Sequence, residues 1–190
     1  MTYSFASDWF GAHRENWEQW VKPWAEANQP LSVLEIGCAD GCSTTWMLEN
    51  LILDPKSHMV CVDPWPTTGW DGDHPTGRRA RFFSNLEKSG KSKQVTVYEQ
   101  ESDDALPRLA AESFDFIYVD GSHFEEQVYR DSINALELVA EGGFIVWDDC
   151  IENDVHCSPL RKEVCAGMER ALFQIDRDYK VRGNCRVLCA

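Results

Sequence analysis

The chain has 190 residues, long enough for one domain with a sizeable core. Its formal net charge of -14 at pH 7 and pI of about 4.7 set a field that repels nucleic-acid backbones and anionic lipid headgroups, so neither is an expected partner. No apolar run approaches the roughly 20 residues of a membrane span. Residues 1–9 lack a basic stretch followed by an apolar one, and the expectation is a cytoplasmic protein without a secretory signal.

Residues 8–27 carry Trp9, Phe10, His13, Trp17, Trp20, Val21 and Trp24 at near-helical spacing. This predicts a helix with Asp8 as N-cap and Pro23 as its end or kink. Such an aromatic helix either packs on the body of the domain or forms a lid over a ligand site (residues 1–27), and it offers a surface for a homodimer contact. The apolar run at 31–36 predicts a first strand and 43–52 a first helix. The corner between them, Gly37-Cys38-Ala39-Asp40-Gly41, has the strand–turn–helix form that offers backbone amides and a helix N-terminus to a ligand. Gly37 supplies an unrestricted φ, and Gly41 leaves room for a ligand against the backbone.

A second strand is expected at His58 to Asp63, followed by an irregular stretch at 64–77 with Trp65 and Trp70. A connection of that length reads as a substrate-facing flap. Further on, the pattern predicts a helix at 78–89, a third strand at 95–99, and a short helix from a capping Ser102 to Leu109. A fourth strand is expected at 114–119, an amphipathic helix at 124–140 stopped by Gly142-Gly143, and a fifth strand at 144–147. A helix at 159–172 and two antiparallel strands within 173–189 complete the chain. Strands alternating with helices argue a doubly wound α/β sheet in a single domain, residues 1–190. The eight cysteines include no C-x-x-C and no zinc-like spacing, and they read as small buried hydrophobes.

In such sheets the ligand lies beyond the carboxyl ends of the strands. Those ends carry Glu35 before Gly37, Asp63, Gln100-Glu101-Ser102, Asp120-Gly121-Ser122-His123, and Asp148-Asp149. So many carboxylates at one edge cost free energy unless a cation or hydrogen-bond donors sit among them. Asp63 suits the two ribose hydroxyls of an adenosine, in a nicotinamide dinucleotide as well as in other nucleotides. Asp120, Asp148 and Asp149 form a set of hard oxygen ligands suited to Mg²⁺. The plain alternatives are that Asp120 turns the chain, that Asp148-Asp149 caps a loop, and that Ser102 is only a helix cap.

Glu35-x-Gly37-x-x-x-Gly41 after a first strand resembles motif I of class I S-adenosylmethionine (SAM)-dependent methyltransferases, with Ala39 where that family commonly has a glycine. Phe114-Asp115-Phe116-Ile117-Tyr118-Val119-Asp120-Gly121-Ser122-His123 and Gly142-Gly143-Phe144-Ile145-Val146-Trp147-Asp148-Asp149 resemble blocks of a bacterial, phage and metagenomic group of small class I methyltransferases. Relatives of that group include metal-dependent O-methyltransferases of the catechol and macrolide-sugar types. The resemblance implies a Rossmann-like, seven-stranded sheet with an antiparallel last strand, SAM as cofactor, and O-methylation of a small hydroxylated molecule. It implies cofactor contacts at Glu35, Gly37, Ala39, Gly41, Ser43, Asp63, Gln100, Ser102 and Asp120, with Asp63 on the ribose and Ser102 beside the adenine. It implies a metal on Asp120, Asp148 and Asp149.

The catechol type has a lysine base three residues after its first metal ligand, where this chain has His123. The sugar type has an aspartate two residues after it, where this chain has Ser122. An imidazole with an ordinary pKa near 6.5 is apt for taking a hydroxyl proton, so His123 is the candidate base beside Asp120. Two rivals stand beside this reading. One is a nucleotide- or NAD-binding oxidoreductase, disfavoured by the incomplete G-x-G-x-x-G. The other is a non-catalytic SAM-binding protein whose acids are a solvated rim.

Overall fold

The computed structural model describes residues 2–65, 77–150, 159–175, 180–182 and 185–189. Five parallel strands, β1 (Ser32–Ile36), β2 (His58–Val62), β3 (Val95–Tyr98), β4 (Phe114–Val119) and β5 (Val139–Trp147), stand in the order β3-β2-β1-β4-β5. Beyond β5, β7 (Cys185–Cys189) pairs antiparallel with β5, and β6 (Lys180–Arg182) pairs antiparallel with β7. Six α-helices are described: α1 (Gly11–Ala27), α2 (Cys42–Asn50), α3 (Arg78–Lys88), α4 (Ser102–Ala105), α5 (Glu125–Leu138) and α6 (Pro159–Ile175). None among the described residues is long and apolar enough to cross a membrane.

The strands alternate their side chains between two apolar layers, as the two-residue period requires. Val33, Met59, Cys61, Phe116, Tyr118 and Val146 enter one layer with α1 and α2, and Leu34, Val60, Ile117, Ile145 and Trp147 enter the other with α5 and α6. A sheet covered on both faces explains why its strands read as continuous apolar runs.

Helix α1 packs its aromatic face inward, does not end at Pro23 and is not capped by Asp8. Trp17 is fully buried and stands edge-on to Tyr118 at 4.8 Å and Trp46 at 5.4 Å, so the aromatic face is packed into the domain. The helix runs through Pro23 to Ala27, with Val21 and Ala25 buried on either side of the proline. An interior proline costs on the order of 3 kcal/mol, and burial of several aromatic and aliphatic side chains at about 1.5–3 kcal/mol each outweighs it. Asp8 does not cap the helix: its carboxylate accepts the Cys42 thiol at 3.0 Å and pairs with Arg14 at 3.7 Å, and Phe10 holds the cap position.

Gly142-Gly143 also departs from expectation. The pair lies inside β5, which begins at Val139 directly after α5. Val139 already pairs with Phe114, and the register shifts before Phe144 pairs with Phe116. Gly142, at φ 77°, serves that irregularity, which an L-residue with a side chain would resist. Helix α6 continues through Phe173 to Ile175, past the expected end at 172. The basic run at 78–81 is spent on the chain's own acids, Arg79 on Glu99 at 2.8 Å and Arg81 on Asp40 at 2.9 Å. Of the expected flap, residues 66–76 lie outside the described residues.

Candidate functional site

The site is assembled from the carboxyl ends of β1, β2, β4 and β5. Gly37 turns the chain at φ 87°, and a Cβ there would lie 2.0 Å from the Asp120 carbonyl oxygen. Glycine is thus required by the approach of the β1 end to the β4 end, where Asp120 N–H donates to Ile36 O at 2.8 Å. Gly41, at φ 83°, starts α2, but the space beside its Cα is taken by the Phe82 ring, 3.1 Å from where a Cβ would stand. On that side Gly41 makes room for the Phe82 ring.

Beneath the turn, Glu35 is completely buried. Its carboxylate accepts the Ser43 hydroxyl and, at 2.5 Å, the Thr44 hydroxyl from the first turn of α2. Burial pushes its pKa up to about 7 against the lowering effect of those hydroxyls. Glu35 and Ser43, both expected on the cofactor, are brought onto each other. Cys38 and Cys61 lie in the same buried group, with all ligand atoms within 4.8 Å.

Asp63 grips the turn from β2. One oxygen accepts the amides of Cys38 at 2.8 Å and Ala39 at 2.9 Å, and the other accepts Trp65 N–H at 2.7 Å. Burial raises its pKa, and the three amides oppose that rise. Trp65 closes the circuit by donating Nε1–H to Ala39 O at 2.7 Å while packing on Phe82. Ala39 itself is held at φ 45°, in the left-handed region. A carboxylate offers about four lone-pair sites, so Asp63 keeps limited capacity for a ribose.

After β3, Ser102 is the first residue of α4 rather than its cap. Its Oγ accepts Gln127 Nε2–H at 3.0 Å, and the same amide reaches Asp131 at 3.0 Å. Asp131 is buried, with its pKa raised to about 6 chiefly by desolvation. Gln100 accepts from Arg108 at 3.2 Å.

At the β4 and β5 ends the structure gathers Asp120, His123 and Asp149, whose ligand atoms all lie within 4.8 Å of one another. His123 Nε2 is 3.3 Å from Asp149 Oδ2. Burial raises the Asp120 pKa well above the carboxylate range, and the charges of Asp148, Asp149 and Glu35 raise it further. Asp149 sits at φ 54°, a strained setting of the kind that collects at functional sites. Asp148, expected as a third metal ligand, is engaged by other partners, while its charge still acts on Asp120. Its Oδ2 accepts the Tyr118 hydroxyl at 2.5 Å, and its Oδ1 lies 3.1 Å from His13 Nε2 and accepts Asp149 N–H at 2.7 Å. Both acids lie beyond the end of β5 at Trp147: Asp149, at its left-handed φ, groups with Asp120 and His123, and Asp148 meets His13 of α1. The sequence pattern marks His13 and Tyr118 only as helix and strand residues.

Two carboxylates and an imidazole converging at this distance are a donor set that a divalent ion fits, and the raised Asp120 pKa is the kind of strain that such an ion relieves. Residues 34–150 match the family model described as a methyltransferase domain. The chain belongs to the methyltransferase-domain family. A catechol O-methyltransferase of Mycobacterium tuberculosis is 30% identical over 127 residues, covering 67% of this chain and 51% of that protein. The chain spans about half the length of the curated relatives it matches. Among solved structures, a calicheamicin methyltransferase superposes with a TM-score of 0.69 at 14% identity, over 93% of this chain and 78% of that one. The O-methyltransferase TomG from Streptomyces achromogenes, solved with SAM, gives 0.63 at 20% identity over 94% and 86%. These structures share the fold. The methyltransferase-domain match takes in Glu35, Asp63, Asp120, His123, Asp148 and Asp149, while His13 and α1 lie outside it.

Proposed function

We propose that this methyltransferase domain binds SAM over the Gly37–Gly41 turn and transfers its methyl group to an oxygen of a small hydroxylated acceptor. The observation that carries the reading is the convergence of Asp120, His123 and Asp149 at the mouth of a sheet whose first turn has the motif I spacing. The similarity to a catechol O-methyltransferase supports the acceptor class. The acidic balance of the chain disfavours nucleic acid and anionic membranes as partners.

The turn is held before any ligand arrives, because Asp63 and Trp65 engage its amides and the Ala39 carbonyl, and Glu35 ties β1 to the Thr44 hydroxyl of α2. Such preorganisation favours in-line attack on a sulfonium methyl, a reaction that needs alignment at about 3–3.5 Å more than it needs activation. A divalent ion would be held by Asp120, His123 and Asp149, and when bound it would lower the pKa of the acceptor hydroxyl. The 3.3 Å contact of His123 with Asp149 supports a second version of the same chemistry. There Asp149 orients the imidazole, and the other ring nitrogen takes the hydroxyl proton without metal.

Calorimetry of the full chain with SAM, S-adenosylhomocysteine and NAD tests the cofactor. The two adenosyl ligands should bind and NAD should not. Transfer of labelled methyl to a panel of catechols and sugars, with Mg²⁺, Mn²⁺ or EDTA, tests the reaction. Binding of SAM without transfer to any member would favour a non-catalytic SAM-binding protein.

A further inference from the structure

Cys150 follows Asp149 at the end of β5, and Cys165 lies on α6. Both are thiols, buried in the apolar layer between the sheet and α5 and α6, Cys150 at 0% exposure and Cys165 at 7%. Their Sγ atoms are 2.7 Å apart, with Met168 Sδ 3.9 Å from Cys150. Non-bonded carbon atoms already prefer about 3.5–4.0 Å, and sulfur is the larger atom. Two different elements thus present their thiols to each other inside ordinary packing distance, with thioether and hydrocarbon around them.

We propose that Cys150 and Cys165 are a reversible disulfide pair that, when oxidised, staples the end of β5 to α6. The oxidant class is a low-molecular-weight disulfide such as oxidised glutathione. Cys165, the more exposed thiol, attacks it as the thiolate and releases one reduced thiol. Cys150 then attacks the mixed disulfide at the Cys165 sulfur and releases the second. The pair loses two protons and two electrons, and the oxidant leaves as two thiols. The bond closes a segment whose ends are 15 positions apart, immediately beside Asp149. Oxidation therefore fixes the turn that carries Asp149. This inference is independent of the methyl-transfer reading.

The test compares the full-length chain after oxidised glutathione with the same chain after a reductant. Each is unfolded in iodoacetamide and digested with trypsin plus an Asp-directed protease, which puts Cys150, Cys157 and Cys165 on three separate peptides. The expected result is a mass loss of about 2 Da and a Cys150–Cys165 cross-linked peptide. The melting temperature should rise by about 5–10 °C, reversed by dithiothreitol and absent in Cys165→Ser. Alkylation of both cysteines in the oxidised sample overturns the proposal, as does a glutathione adduct without cross-link. So does a bond formed elsewhere, such as Cys38 to Cys61. Because the peptide map is made on the unmutated chain, a poorly folding variant does not blunt it.

Discussion

His13 Nε2 lies 3.1 Å from Asp148 Oδ1, and through that contact α1 is fastened to the end of β5 beside the candidate site. Asp148 is buried, and its other oxygen accepts the Tyr118 hydroxyl. Removing the imidazole takes a donor from a carboxylate that has little access to water. His13→Ala should therefore cost about 2–4 kcal/mol in urea unfolding. Asp148→Asn, which keeps an oxygen for Tyr118, should cost less, about 1 kcal/mol. A loss below about 0.5 kcal/mol for His13→Ala would show that α1 is held by its tryptophans alone.

The buried acids set a pH dependence whose sign is unusual for carboxylates. Glu35 rises from 4.5 to about 7 and Asp131 from 3.8 to about 6, in both cases chiefly by desolvation. The folded chain holds these protons more tightly than the unfolded chain. The stability they confer is complete below the unfolded values and is lost as pH rises through the folded ones. Without ligand, the chain should lose stability between about pH 3.8 and 7. Glu35→Gln should flatten much of that slope and stabilise the chain at pH 8, with an upper bound on the order of 3 kcal/mol. Urea unfolding at half-unit pH steps measures it, and parallel curves for the two chains would remove Glu35 as the cause.

Strands β1, β2 and β4 were legible as apolar runs that stop at an acid or glycine, and β3, Val95-Thr96-Val97-Tyr98, by its alternation. Boundaries governed by distant contacts were not. Gly142-Gly143 reads locally as a helix stop, yet pairing of Val139 with Phe114 made it a strand irregularity. Asp8 has the chemistry of a cap, yet Cys42 and Arg14 hold it elsewhere. At the site, residue types were legible and aim was not. Asp63, expected on a ribose, also holds the turn through the amides of Cys38 and Ala39. Asp148 and Asp149 lie past the end of β5, where strand alternation no longer applies, so the sequence gives no signal of their different partners. His13 gave none, since its partner is 135 positions away and only the fold brings them together.

Ala39 occupies a place where the backbone prefers glycine. At φ 45° an L-residue pays about 1–2 kcal/mol in local strain. Glycine would remove that strain and lose about 0.4–1 kcal/mol through greater freedom of the unfolded chain. The contacts of Ala39 with Asp63 and Trp65 use only its backbone N–H and C=O, so they survive the change. Ala39→Gly should be net stabilising by about 0.5–1 kcal/mol, a melting rise of about 1–4 °C. A fall in melting temperature would mean that the methyl group packs usefully on its surroundings.

Asp149→Asn separates the metal version of the site from the metal-free one. Asparagine tolerates the left-handed φ of 54° that Asp149 adopts, so the fold should hold within about 0.5 kcal/mol while one negative charge is removed. If Asp120, His123 and Asp149 hold an ion, the variant should bind Mn²⁺ at least about 10-fold more weakly in calorimetry, and EDTA should abolish methyl transfer by the unmutated chain. The imidazole in the set also predicts tighter binding of Mn²⁺ than of Mg²⁺, because nitrogen ligands suit transition metals better than they suit magnesium. If instead Asp149 only orients His123, transfer should survive EDTA, Mn²⁺ should bind neither chain, and His123→Ala should remove the rate that EDTA leaves. Full activity of His123→Ala in EDTA would exclude both versions and return the proton acceptor to the remaining acids of the rim.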